Sequence, residues 1–153
     1  MTWDKIHQLE LREDYPAAID ALEERLRIDP SEREAVVRLG FNLWYGVVEA
    51  NRMQKQLPTE KYAARFMDLF RQYRTRFEGD ADFCWAFGLG ISLFWFNFAG
   101  ADEKLGEALL TRAKEIDPFY ERMLHAGGQS EMAERFRGRG IFAKYYAIAE
   151  PIP

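Results

Sequence analysis

The chain has 153 residues, which suits one domain of ordinary size. Hydrophobic residues make up 48% and charged residues 30%, a balance that builds a folded core and excludes a disordered chain. A net charge of −4 and a pI of about 5.3 argue against nucleic-acid binding through global charge, and the one cysteine, Cys84, rules out an intrachain disulfide.

The predicted elements are all helical. Helix one spans about Thr2 to Glu13. Helix two starts at Tyr15-Pro16, with proline tolerated in the first turn, and carries Tyr15, Ala18, Ile19, Leu22 and Leu26 on one face. Asp29-Pro30 ends it. Ser31-Glu32-Arg33-Glu34 then reads as a capping box that opens helix three, which is expected to reach about Gln56. Leu57-Pro58-Thr59 breaks the chain. Helix four follows with a clean stripe of Tyr62, Phe66, Leu69, Phe70, Tyr73 and Phe77.

Gly79-Asp80 is a turn before helix five, which is expected to run to about Phe98. Residues Phe83 to Ala101 carry no charge, yet Gly88, Gly90, Ser92 and Asn97 dilute the run and both flanks are acidic. A buried central helix is expected there, not a membrane span. Asp102 is a good N-cap for helix six, whose inward residues are Leu105, Leu109, Ala113 and Ile116. After Pro118 the pattern gives a short helix to about Leu124 and the turn Ala126-Gly127-Gly128. A last helical stretch, Ser130 to Ala149, is interrupted at Gly138-Arg139-Gly140. No segment alternates as a strand would. Residues 1–153 read as a single domain, with 117–153 an atypical C-terminal cap.

Two phrases repeat. Ile28-Asp29-Pro30 returns as Ile116-Asp117-Pro118, each closing a helix. Leu39-Gly40-Phe41-Asn42-Leu43-Trp44 returns as Leu89-Gly90-Ile91-Ser92-Leu93-Phe94. Tyr15 to Leu22, closing on Leu26-Arg27-Ile28-Asp29-Pro30, resembles the second helix of a tetratricopeptide repeat: an aromatic, a small alanine, a larger apolar residue and a terminal proline. Glu34 to Gly40, with its Leu-Gly pair, resembles the first helix of the next repeat. Leu89-Gly90 and Ala113 to Pro118 resemble the two helices of another unit. Arg25 departs from the pattern, standing where the family has a small alanine, and the period is nearer fifty residues than thirty-four. The resemblance implies antiparallel helical hairpins stacked as a short right-handed solenoid with a C-terminal capping helix. It also implies a concave ligand surface lined by helices three and five.

The sequence offers little catalytic chemistry. His7 and His125 lack metal-spaced partners and read as surface or capping histidines. Cys84 lies among Phe83, Trp85 and Phe87, an apolar setting that raises a thiol pKa. No nucleophile elbow, phosphate cradle or calcium loop is present. Charge is segregated, however. Arg52 to Arg76 is basic, Glu78 to Glu107 is acidic, and Arg135 to Lys144 holds Arg135, Arg137, Arg139 and Lys144 without an acid. Two readings stay open: helix faces paired with their neighbours, or a steering surface for a charged partner. The interleaved cations and aromatics of Arg135 to Tyr146 are of the type found at interface hot spots.

The expected function is therefore a non-catalytic protein-binding module without cofactor or metal. It would take one protein partner stoichiometrically, as a bacterial immunity protein or antitoxin takes its cognate toxin. The candidate partner-binding residues are Asn42, Tyr45, Arg65, Arg135, Arg137, Arg139, Lys144, Tyr145 and Tyr146. A chaperone or adaptor for a secreted protein is one alternative. A small-ligand binder with a pocket among Trp44, Tyr45, Trp85 and Trp95 is another. Exposed aromatic surface would equally serve a homodimer. The start, Met1-Thr2-Trp3-Asp4-Lys5, lacks a basic-then-apolar leader, so a cytoplasmic location is expected, with neither nucleic acid nor membrane as partner.

Overall fold

The computed structural model describes residues 1–53, 56–125 and 127–148, with the side chains of 51–53 excepted. Among the described residues every regular element is helical. The order is α1 (Trp3–Leu11), α2 (Tyr15–Ile28), α3 (Arg33–Met53), α4 (Thr59–Tyr73) and α5 (Ala81–Phe94), which a 3-10 turn at Trp95–Asn97 continues. Then come α6 (Glu103–Ile116), α7 (Phe119–Arg122), α8 (Gln129–Arg135) and α9 (Gly140–Tyr145). The expected passage of helix three through 54–55, together with the expected roles of Arg52, Lys55, Ala126 and Ala149, falls outside the described residues. Helix one stops two residues short of expectation, because Glu13 turns into left-handed backbone at φ 60°. Helix five stops at Phe94, with the 3-10 turn in place of its predicted last turn.

Short polar side chains start the helices. Thr2, Asp14, Asp80 and Asp102 each accept a hydrogen bond from the backbone N–H three residues on, at 3.3, 3.2, 2.9 and 2.8 Å. The two Ile-Asp-Pro phrases stop them with one shared geometry. Asp29 (φ −135°, ψ 92°) and Asp117 (φ −133°, ψ 104°) are both extended, as the residue before a proline must be. Each carboxylate then accepts the N–H two residues ahead, from Ser31 and Phe119. This overturns the capping box at Ser31. The Ser31 hydroxyl donates to Asp29, and α3 opens on the Glu32 carbonyl, which accepts from Val36 N–H at 3.2 Å. Arg25, out of place for the resemblance, donates to Glu32 and to the Met1 carbonyl while lying over the Trp3 ring.

The Leu-Gly echo has a packing cause. A Cβ on Gly40 of α3 would stand 2.3 Å from the Phe87 ring of α5, and a Cβ on Gly90 of α5 would stand 2.5 Å from the Trp44 ring of α3. Each helix therefore seats an aromatic of the other on bare backbone, and the two run in the same direction. Trp44 Nε1 also donates to the Ala86 carbonyl at 2.9 Å. The rest of α5 is enclosed in the same way. Phe70 and Phe66 of α4 lie on Phe83 and Phe87, Gly88 and Ser92 abut α6 at Leu109 and Gly106, and Trp85 stacks on Tyr120. Burial from Asp82 to Ile91 is continuous around the helix, which explains its lack of outward charge. Each fully buried aromatic contributes roughly 2 kcal/mol of transfer free energy. Among the described residues no helix is long and apolar enough to cross a membrane.

The chain's last part does not extend beyond α6 as a terminal cap. It turns back: α9 packs on α1 and α3, so the end of the described chain meets its beginning. Gly140 is the contact point, where a Cβ would lie 2.5 Å from the His7 carbonyl and 2.8 Å from Glu10 Cβ. His7 is consequently buried, contrary to its surface reading, whereas His125 is exposed beside Glu121.

The glycine seats set the first expected outcome. Ala at position 40 or 90 gains about 1 kcal/mol of helix propensity, but it forces a fully buried ring out of place. Gly40→Ala and Gly90→Ala are each expected to lose about 2 kcal/mol in urea unfolding. Gly79→Ala, with open space around it, should stay within about 0.5 kcal/mol of the parent.

Candidate functional site

A chain of ion pairs runs from the end of α1 across the N-terminal half of α3 to the start of α5. Glu10 of α1 accepts from Arg38 and from the Asn42 amide (2.7 Å), both on α3. Arg38 also lies 3.5 Å from Glu34. Glu34 accepts a bidentate pair from Arg139 at 2.8 and 2.9 Å, and Arg139 donates onward to Asp82 of α5 at 3.2 Å. Asp82 also accepts from Arg33 (2.6 Å) and from the Tyr120 hydroxyl, with Arg135 at 3.8 Å. Arg33 ends on Asp80 and Arg135 on Asp117. Glu10 and Arg38 are almost wholly enclosed, at 0% and 2% exposure.

Burial pushes the Asp82 carboxyl up, but the Arg139 charge, the Tyr120 hydroxyl and Arg33 outweigh it and hold it below the ordinary carboxylate range. The Tyr120 hydroxyl moves the opposite way, raised by burial and then by the Asp82 charge. The two shifts run in opposite directions, and both favour the Tyr120 hydroxyl as donor and the Asp82 carboxylate as acceptor. Cys84 is buried, and burial pushes its thiol up to about 11. Among the described residues no three His, Cys, Asp or Glu side chains are grouped to hold a metal ion.

The residues singled out from the sequence lie mostly inside this framework. Asn42 is fully buried, donating to Glu10 and to the Arg38 carbonyl, and so cannot belong to a surface. Arg139 is largely buried, and its guanidinium also lies 4.4 Å over the Phe142 ring. Arg135 pairs with Asp117 over Phe119, and Lys144 lies 3.7 Å from Glu13. Tyr45 and Tyr145 meet at 5.8 Å beside Phe41 and Trp44. The Tyr146 hydroxyl accepts from Trp85 Nε1 at 2.7 Å. Arg65 stands apart on α4, bidentate to Glu23 of α2. Arg137 is exposed.

The acid-free C-terminal segment thus finds its acids on the α1–α2 turn, α3, α5 and the end of α6. It also covers the faces of α3 and α5 that the resemblance makes a ligand surface: Phe142 and Tyr145 lie on Phe41, and Tyr146 on Trp85. The tryptophan pocket is overturned as well. Trp44 and Trp85 are packed in the core, while Trp95 is 40% exposed on the 3-10 turn.

The sequence reading missed one exposed cluster. Leu93, Trp95 and Phe96 are 48%, 40% and 67% exposed. They face outward because their neighbours are held inward. Ser92 abuts Gly106, Phe94 stacks on Trp44 at 5.9 Å, and Phe98 packs on Phe66 at 4.6 Å. The available signal was the unbroken run Leu93-Phe94-Trp95-Phe96, apolar at every helical phase, which no single packed face can absorb. No family model, curated protein or solved structure matches the chain.

Because the Asp82 pKa is depressed in the folded state, its contribution is fully present above the unfolded value of about 4 and is lost as pH falls through the folded value. Asp82→Asn should therefore destabilise the protein by about 3 kcal/mol at pH 7, since it strands buried arginine charge. The difference from the parent should shrink below pH 4. Urea unfolding of both proteins from pH 7 to pH 3 measures this.

Proposed function

We propose that the protein is a non-catalytic protein-binding module that takes one protein partner in a one-to-one complex, in the manner of a bacterial immunity protein or antitoxin that occupies its cognate toxin. The observation that carries this reading is the exposed Leu93–Trp95–Phe96 cluster at the end of a buried central helix. Aromatic anchors of this kind, presented by a rigid element, are the usual centre of a protein interface. Phe94 holds the cluster to the α3–α5 seam, so little ordering cost remains on binding.

The paired helices α1–α2, α3–α4 and α5–α6 are read as degenerate tetratricopeptide-like hairpins stacked with a right-handed twist. In that frame the surface given to ligands in longer solenoids is filled by the chain's own α8–α9, which moves the interface to the end of α5. The conversion of Arg135, Arg139 and Lys144 to internal pairs supports the shift from a basic to an apolar anchor. The buried Cys84 thiol, its pKa raised, and the Tyr120 hydroxyl, engaged by the Asp82 carboxylate, support a role without catalysis. A cytoplasmic setting in a bacterium belongs to the same reading.

Co-expression with the product of each adjacent gene, followed by light scattering on the purified complex, tests it. A one-to-one complex is expected with one neighbour, and Trp95→Ala with Phe96→Ala should weaken it at least about a hundredfold, the loss of two hot-spot residues. A complex indifferent to both substitutions would remove the cluster from the interface, and no complex with either neighbour would remove the inhibitor reading.

A further inference from the structure

A second feature lies on the opposite side of α5 from α9. The end of α4, the start of α5 and the middle of α6 line an open trough of about 290 Å³. This is the lower end of the range for small-molecule sites, roughly 300–1,000 Å³. Phe70, Phe83, Leu105 and Leu109 make its apolar floor, and the guanidinium groups of Arg74 and Arg112 stand on its rim. Arg74 lies over the Phe70 ring at 4.9 Å. Arg112 Nε donates one long bond, 3.4 Å, to the Glu78 carbonyl.

These two arginines differ from those under α9. Arg33, Arg38, Arg135 and Arg139 each meet a carboxylate. Among the described residues neither Arg74 nor Arg112 has one within 4.0 Å. Two unpaired guanidinium groups therefore face one lining acid, beside apolar side chains, in an acidic protein. Glu78 is the acid that lines the trough with them, and the neighbouring Cys84 stays a neutral thiol that adds no opposing charge.

The geometry points to this trough as a binding site for a small apolar carboxylate, an alkyl or aryl acid whose head sits between Arg74 and Arg112 and whose body lies on Phe83, Leu105 and Leu109. Charge complementarity selects the head, and the volume selects a small molecule over a helix or a peptide strand. The site shares no residue with the Leu93–Phe96 cluster and stands or falls independently of the protein-binding reading.

Sodium decanoate, kept below its micellar concentration, is the probe, followed by amide and arginine Nε chemical shifts of the ¹⁵N-labelled protein. Saturable shifts are expected at the Phe83, Leu105 and Leu109 amides and at the Arg74 and Arg112 Nε, with a dissociation constant on the order of 1 mM or tighter. Arg74→Gln with Arg112→Gln should weaken binding about tenfold, as removal of two partly exposed ion pairs predicts. Glu78→Gln should tighten it by a fewfold by removing the one opposing charge. Decanol, with the same body and no charge, should bind about tenfold more weakly. Equal binding of decanol, indifference to the arginine and Glu78 substitutions, or the absence of saturable shifts at these residues would each overturn the site. All three side chains are exposed, and thermal melts of the variants verify that the fold is kept.

Discussion

The close approach of α3 and α5 is the constraint on which the remaining structure depends. Gly40 and Gly90 expose helical backbone, and each takes the other helix's ring, Phe87 or Trp44. Two parallel helices held this closely leave no room for charge between them, and after Asp82 the whole of α5 is uncharged. That in turn requires cover on every side: α4 through Phe66 and Phe70, α6 through the seats at Gly88 and Gly106, and the C-terminal segment through Tyr120 and Tyr146. A helix that is apolar all round can exist only as the centre of its domain.

The buried ionic chain follows from the same demand. The fourth side of α5 is covered by short helices, α7 to α9, none long enough to be stable from propensity alone. They need specific attachment, and Arg139 supplies it by spanning Glu34 on α3 and Asp82 on α5. Buried ion pairs give little net stability against hydrophobic substitutes, but they punish misalignment strongly, because a register error strands a charge in the core. The arrangement is therefore better understood as fixing where the C-terminal segment lies than as holding the protein together. The apolar contacts of Phe136, Ile141 and Phe142, all fully buried, provide the holding energy.

How far the sequence could be read depended on the range of the interactions involved. Local chemistry was legible: the Asp102 cap, the Ile-Asp-Pro stops, the α4 stripe and the buried central helix all depend on residues within a turn or two of one another. The Leu-Gly echo was legible as a word, and its meaning, a reciprocal seat, needed the two helices side by side. The capping box at Ser31 failed because the Asp29 carboxylate, already fixed by the following proline, competes successfully for the serine. The internal pairing of the C-terminal cations was hidden for a longer-range reason. Arg139 and Glu34 are 105 residues apart in sequence, so the C-terminal cations looked free where their acids were merely distant.

The same logic locates what remains available for recognition. Where neighbours compensate charge and cover apolar surface, as under α9, the groups are consumed by the fold. At the two ends of α5 that cover runs out differently. At its C-terminal end the chain stays apolar for four residues after Ser92, and only Phe94 of these is held inward, on Trp44, so Leu93, Trp95 and Phe96 are left outside. Beside its N-terminal end, α4, α5 and α6 line a trough whose Arg74 and Arg112 make no ion pair among the described residues. One feature stands beside the start of the central helix and the other at its end, and neither is made of groups that α7 to α9 have already consumed.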